Sequence, residues 1–315
     1  MSNLQAHRGD VVRDGVTLLE AREVPLGGPR AMLVRRTLPH RDIRTIGGWC
    51  FVDSFGPTHG GTDAGSGMHL PPHPHIGLQT VTWLLAGHVE HRDSVGNRQF
   101  VRPGELNLMT AGRGIAHTED TVGPAGGALH GVQLWTALPD AARHQEPHFE
   151  HHGDLPVVGG AGLRATIFLG SLYGVRSRAA TYSPLLGAEV MVAGGARARI
   201  PLDADFEHGV LAVESEPVVA GVRVGPSSLL HLPVGRRELV VEGPGRFLLL
   251  GGTPFGEELL MWWNFVARDH DEIEQARQDW QAGRRFGEVD HPAERLAAPA
   301  LPTTRLKSRG NRRRP

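Results

Sequence analysis

An all-β protein made of two antiparallel domains is what this sequence predicts, on three observations. The chain has 315 residues, long for one domain and comfortable for two of about 150 each. It carries 42 glycines and 23 prolines, scattered without a period, too many for a helical protein and well suited to short strands joined by turns. Its apolar runs are short, roughly 5 to 8 residues, rich in β-branched and aromatic side chains and bounded by glycine.

Taken in order, residues 15–57 read as short strands, among them AMLVRRTL and GGWCFVDSF. GPTHGGTDAGSGMHLPP follows, has little to bury, and reads as a flexible loop. Then come TVTWLLAG (80–87) and HVEHRD (88–93), joined through SVGN to RQFVRPGEL, and after them LNLMTAG and LHGVQLWTAL (129–138). Residues 139–156 are polar, rich in histidine and closed by proline. They place an N-terminal domain over 1–140, a linker over 141–156 and a C-terminal domain over 157–290. The second domain repeats the texture in LRATIFLGS, HGVLAVES, PVVAGVRVG, SSLLHLP, ELVVEG and RFLLLGG. VRPGELNLMTAG and VRVGPSSLLHLPVG share an Arg, a Gly and a closing Gly, a weak trace of duplication. One helix is expected over 269–283: it begins with acidic residues, puts Ile273, Ala276 and Trp280 on one face, and stops at Gly283. The proline-studded, basic segment 291–315 reads as a disordered tail.

Charge narrows the function classes. There are 33 basic and 34 acidic residues, a net charge of -1, so no direct nucleic-acid or membrane-surface partner is expected. The single cysteine, Cys50, excludes an intramolecular disulfide and reads as a small buried hydrophobe. The first residues lack a secretory pattern and no apolar run is long enough to span a bilayer, which together point to the cytoplasm.

Histidine carries the chemistry. Twelve of the 18 histidines fall between His59 and His152. On a strand, side chains two apart share a face, so His73 with His75, and His117 with Glu119, each form a pair able to converge from neighbouring walls of a barrel. A lone H-x-H is common on surfaces and needs no metal. The second pair, following the glycine-rich turn AGRGIA, raises the odds. Three imidazoles and a carboxylate suit Fe, Mn, Co, Ni, Cu or Zn. A purely structural zinc site fits poorly, because such sites are usually closed and rich in cysteine.

PHPHIGLQTVTWLLAG, EHRDSVGN, RPGELNLMTAGRGIAHTE and GVQLWTAL resemble successive blocks of the pirin family, within the cupin superfamily; LLLGGTPFGEEL and EIEQARQDWQAGRRFG resemble its C-terminal blocks. The resemblance spans about residues 15–289. It implies a bicupin, two antiparallel barrels packed face to face with a short C-terminal helix, and one metal in the N-terminal barrel. The implied ligands are His73, His75, His117 and Glu119, with Fe(II) first among the divalent ions. Gln79 departs from the glutamate of many cupins, which puts the hydrogen bonding around the metal in doubt. The second domain, offering only His208, is expected to be metal-free. A monomer is expected as well.

Two functions follow from the resemblance. The first is a dioxygenase of the quercetin 2,3-dioxygenase type, opening a flavonol or related polyphenol with dioxygen and releasing carbon monoxide, with Glu119 as the catalytic base. The second is a non-catalytic, iron-redox-sensitive regulator that binds a protein, either a transcription factor or a metabolic enzyme. Of the remaining candidates, His91 and Asp93 read as supports beside the metal or within the turn, and His59 and His69 as solvated loop residues. Trp49, Phe51 and Phe55 read as core rather than a substrate wall, and Trp262 and Trp263 as structural.

Overall fold

Strand Leu78–Ala86 shows how the architecture arises. Val81, Trp83 and Leu85 alternate with Thr80, Thr82 and Leu84, and nearly the whole strand is buried, so it must be covered on both faces. One face looks into a barrel and the other into a second domain. The computed structural model describes residues 10–13, 15–26, 32–58, 67–122 and 128–311.

Each domain pairs a large antiparallel sheet with a four-stranded one. The first large sheet runs His148–His152, Leu106–Thr110, Leu78–Ala86, Leu129–Ala137, Trp49–Thr58, Leu33–Leu38, Arg22–Pro25. The second runs Asp10–Arg13, Val16–Leu19, Leu229–Leu232, Glu207–Glu214, Gly245–Gly252, Leu185–Val192, Leu163–Leu169, Val157–Gly160. From the third strand of the second sheet onward, the chain order matches the first sheet from its second strand. The small sheets match too: His69–His75, Ile115–Val122, His88–Asp93, Arg98–Val101 against Arg197–Pro201, Glu238–Glu242, Val218–Val219, Val222–Arg223. The chain is a duplicated barrel, a bicupin.

The large sheets pack face to face through one apolar layer. Trp49, Val81, Trp83 and Leu134 meet Phe168, Leu185, Leu211 and Leu250 there. Trp83 stacks on Phe168 at 4.7 Å and its indole N–H donates to the Glu189 carboxylate at 2.7 Å. Trp49 is fully buried in the same layer, so it is core, as expected of it.

Three boundaries differ from the sequence expectation. Val16–Leu19 pairs with Leu229–Leu232, so the N-terminal strands belong to the second sheet rather than to domain 1–140. Part of the expected linker, His148–His152, is a strand paired with Leu106–Thr110; its polarity reflects an edge position with every residue half-buried. The segment after 291 is held in place as far as Asn311. Leu296 N–H donates to Pro72 O at 2.9 Å, Leu259 bridges to Arg309, and the Asn311 side chain accepts from Thr45 N–H at 3.0 Å. Its few apolar residues, Ala298, Leu301 and Leu306, dock onto a surface already built by the helix. Low apolar content misled because docking onto a formed surface needs far less burial than folding alone. Residues 312–315 lie outside the described ones, and so does His59.

The expected helix is observed over His270–Gln281, with Asp269 accepting from Glu272 N–H at its start and Ile273, Ala276 and Trp280 buried. It packs against Ile76 and Ala116 of the first domain, beside the hairpin Leu260–Trp262 and Phe265–Ala267. Val266 N–H donates to Ile76 O at 3.1 Å. Gly77, with φ +69°, permits that approach, since a Cβ there would lie 2.1 Å from Val266 O. The two ends of the chain thus cross over: the first strands complete the second barrel, and the last elements seal the first.

Candidate metal centre

The two histidine pairs arrive on adjacent strands. His69–His75 runs antiparallel to Ile115–Val122 with His117 opposite His73. A bulge between His117 and Glu119 then shifts the register, so that Glu119 stands opposite Leu70. The segment HLPPHPH, assigned in part to a loop from its glycine-rich approach, is a strand from His69 onward.

His73, His75 and His117 converge. Ring centroids are 4.3 Å apart for His73 and His117, 5.0 Å for His75 and His117, and 5.1 Å for His73 and His75. One nitrogen from each lies within 4.8 Å of the other two, and all three residues are buried. Burial disfavours the charged imidazoles: His73 is lowered to about 4, and His75 and His117 fall well below their ordinary value. At neutral pH all three are uncharged.

Their tautomers follow from the outer hydrogen bonds. A carbonyl only accepts, so His73 Nδ1–H donates to Pro71 O at 2.9 Å and His75 Nδ1–H to Asn264 O at 2.9 Å. The bare nitrogen of each is then Nε2. For His117 the anchor is a second imidazole. His91 Nε2 faces the Asp93 carboxylate at 3.1 Å, and His91 Nδ1 lies 3.3 Å from His117 Nδ1. With His91 Nε2–H donating to Asp93 and its Nδ1 accepting from His117, Nε2 of His117 is bared as well. His75 Nε2 and His117 Nε2 sit 3.1 Å apart. Two lone pairs turned on each other at that distance repel, and a shared cation relieves them. The donor set fits a divalent transition ion.

Glu119 is buried beside this trio but lies outside the compact donor group. Its Oε1 accepts from the Thr82 hydroxyl at 2.8 Å, with the Gln133 carboxamide oxygen 3.1 Å from the same hydroxyl. Burial raises the Glu119 carboxyl above its ordinary value, partly opposed by His91 and by the Thr82 hydrogen bond.

His91 and Asp93 hold the site from behind. Asp93 Oδ1 accepts from the backbone N–H groups of Val95 and Asn97, both at 3.0 Å. Burial would raise the Asp93 carboxyl, but bonds from His91 and Asn97 outweigh it and leave it below its usual range. The His91 ring lies flat on Phe149, 4.4 Å between centroids. His91→Phe keeps that stacking and removes the acceptor that fixes His117. It is expected to weaken metal binding by about 10- to 100-fold, read by competition with a chelator. Unchanged affinity would show that His91 does not orient His117.

Other sequence candidates fall elsewhere. Gln79 turns away from the histidines: its amide donates to the Thr110 hydroxyl at 3.0 Å and to Ala180 O of the second domain at 3.3 Å. The inward positions of that strand are Thr80 and Thr82, so the missing cupin glutamate leaves the hydrogen bonding of the site untouched. His69 is largely exposed and pairs with Asp120 at 3.1 Å. Cys50 is buried, its thiol pushed up to about 12 by desolvation, inert as expected. Phe51 stacks on Trp135 at 3.9 Å, and Trp135 meets His75 edge-on at 5.1 Å, so this pair does flank the site. Trp135, Thr82 and Asn264 escaped the sequence reading. Strand alternation could have found Thr82; nothing local marks Asn264, which reaches His75 across 189 positions.

Family models decide the affiliation. The model described as Pirin matches residues 31–136, and the one described as Pirin C-terminal cupin domain matches 187–287. The chain belongs to the pirin family. A provisionally named quercetin 2,3-dioxygenase of Pseudomonas aeruginosa is 44% identical over 90% of this chain and 89% of its own. A pirin-like protein of Caulobacter vibrioides is 34% identical over 87% of this chain and 96% of its own. Among solved structures, a quercetin 2,3-dioxygenase from Acinetobacter baumannii superposes with a TM-score of 0.87 at 40% identity, covering 93% of this chain and 97% of that one. The pirin histidines named from the sequence are the ones that converge here.

Proposed function

We propose that this pirin is a metal-dependent dioxygenase that opens a flavonol of the quercetin type, or a related polyphenol, and releases carbon monoxide. The observation that carries the reading is the convergence of three buried imidazoles, His75 Nε2 and His117 Nε2 3.1 Å apart, beside the buried Glu119 carboxylate. Relatives named as quercetin 2,3-dioxygenases support the substrate class. His73, His75 and His117 would hold the ion, Fe(II) by preference, with Glu119 as fourth ligand. The ion supplies Lewis acidity toward the substrate's hydroxyl and an electron route to dioxygen. Glu119 takes the proton of that hydroxyl, with Thr82 holding its other contact. Trp135 and Phe51 form an aromatic wall beside His75 suited to a planar substrate, and burial of the site keeps water out.

The test is anaerobic loading with Fe(II), and in parallel with Mn, Co, Ni and Cu, followed by quercetin and air. Expected is metal-dependent loss of flavonol absorbance, with one carbon monoxide trapped per flavonol consumed. No turnover with any loaded ion would overturn the enzymatic reading and leave the protein-binding regulator.

A further inference from the structure

The second barrel has its own open end. Its strands Arg197–Pro201 and Glu238–Glu242 stand where the first barrel carries its histidine strands, and they turn Ala198, Ile200, Leu239 and Val241 inward, residues without a metal-ligating atom. Beyond the end of Arg197–Pro201 lies a cavity of about 620 Å³. It corresponds to the end of the first barrel where the three imidazoles converge.

At its inner side stands His208, the second residue of Glu207–Glu214, with 0% of its surface exposed. Among the described residues neither ring nitrogen has a hydrogen-bond partner within bonding geometry. A buried imidazole with both nitrogens unmet is rare in a folded protein, and its two polar atoms suit a polar group supplied from outside the chain. Room is made for it. Gly251 faces the ring, and a Cβ there would lie 2.8 Å from His208 Cδ2. Desolvation lowers the imidazole to about 4, with Asp203 opposing that effect, His231 adding to it and the Phe206 backbone opposing it weakly, so at neutral pH it offers one donor and one acceptor. Leu172, Leu186, Leu202 and Phe206 supply apolar walls, Arg176 stands at the exposed rim, and Asp203 is part of the lining as well. Among the described residues Arg176 forms no ion pair. Tyr173, held by its hydroxyl's donation to Arg199 O at 2.8 Å, flanks the opening.

We propose that this cavity is a second, metal-independent ligand site for a small phenolic carboxylate, its hydroxyl bound by His208, its ring between the leucines and its carboxylate at Arg176. The volume falls within the range of small-molecule sites. A hydroxyl completes the imidazole as a water would, while the apolar walls favour an arene over water. A phenol paired with a carboxylate matches a deep neutral acceptor and a shallow cation. The site does not depend on the metal or on the proposed reaction.

The probe is 4-hydroxybenzoate, added to metal-depleted protein labelled with ¹⁵N-histidine. The His208 ring signals are identified by their loss in His208→Leu. Expected are saturable shifts of those signals with 4-hydroxybenzoate, and about tenfold weaker binding of both benzoate and phenol, one hydrogen bond or ion pair being lost in each case. In Arg176→Gln, 4-hydroxybenzoate and phenol should bind alike; in His208→Leu, calorimetry should find 4-hydroxybenzoate and benzoate alike. Ring signals that stay fixed at millimolar probe, or that move equally for all three compounds, would overturn the site.

Discussion

Replacing His117 by alanine is expected to abolish metal loading and to lower flavonol turnover by at least about 10³-fold, the scale set by several kcal/mol of metal-ion stabilisation. His117 is the middle of the trio. Its ring is 4.3 Å from that of His73 and 5.0 Å from that of His75, and it alone connects the donor group to the His91–Asp93 support. Removal takes away one of three imidazoles and leaves His91 Nδ1 facing a void. Two checks separate metal loss from collapse of the fold. Metal content after dialysis should fall to background while the circular dichroism of the β-barrels persists. Added metal should raise the melting temperature of the parent protein, by about 2.7 kcal/mol of linked stability at a hundredfold excess over Kd, and leave the variant unmoved. A variant that still loads one ion per chain would show that the trio is not the metal centre.

The convergence of His73, His75 and His117 was legible in the sequence because the pairs obey a local rule. His73 and His75 sit two apart on one strand, as do His117 and Glu119 on another, and strand alternation alone puts each pair on one face. The helix was legible for the same reason: its N-cap, its period and its terminal glycine all lie within 15 residues of sequence, 269–283. What escaped depends on partners distant in the chain. Asn264 fixes the tautomer of His75 from a hairpin whose own sequence says nothing of histidine. Val16–Leu19 pairs with Leu229–Leu232, more than 200 positions away, and nothing in its four residues names that partner. Gln79 was singled out through the family resemblance, and the sheet turns it toward Thr110 and Ala180 while Thr80 and Thr82 face inward. The tail misled through composition, because Leu301 and Leu306 gain their burial from a surface that other residues had already formed.

Glu119→Gln isolates the proton step. The replacement keeps the shape of the side chain and an oxygen able to accept from Thr82, but a carboxamide does not take up a proton. Turnover is therefore expected to fall by about 10²- to 10⁴-fold, the usual worth of a positioned base, while metal content changes little, the three imidazoles being untouched. The pH profile gives the sharper reading. Burial raises the Glu119 carboxyl and a bound cation opposes that effect; in the metal-loaded parent protein activity should drop once the pH is low enough to protonate the base. In the variant this acid limb should vanish. Activity should instead rise with pH as the flavonol arrives already deprotonated, approaching the parent rate once the substrate no longer needs a base. Full activity of the variant at neutral pH would remove Glu119 from the chemistry. A proportional loss of metal and turnover would leave Glu119 as a ligand only, with the proton passing to another group. The thermodynamic logic favours the base: a buried carboxylate with one hydrogen bond from Thr82 is costly to keep charged, and proton transfer from a bound hydroxyl is the step that turns that cost into rate.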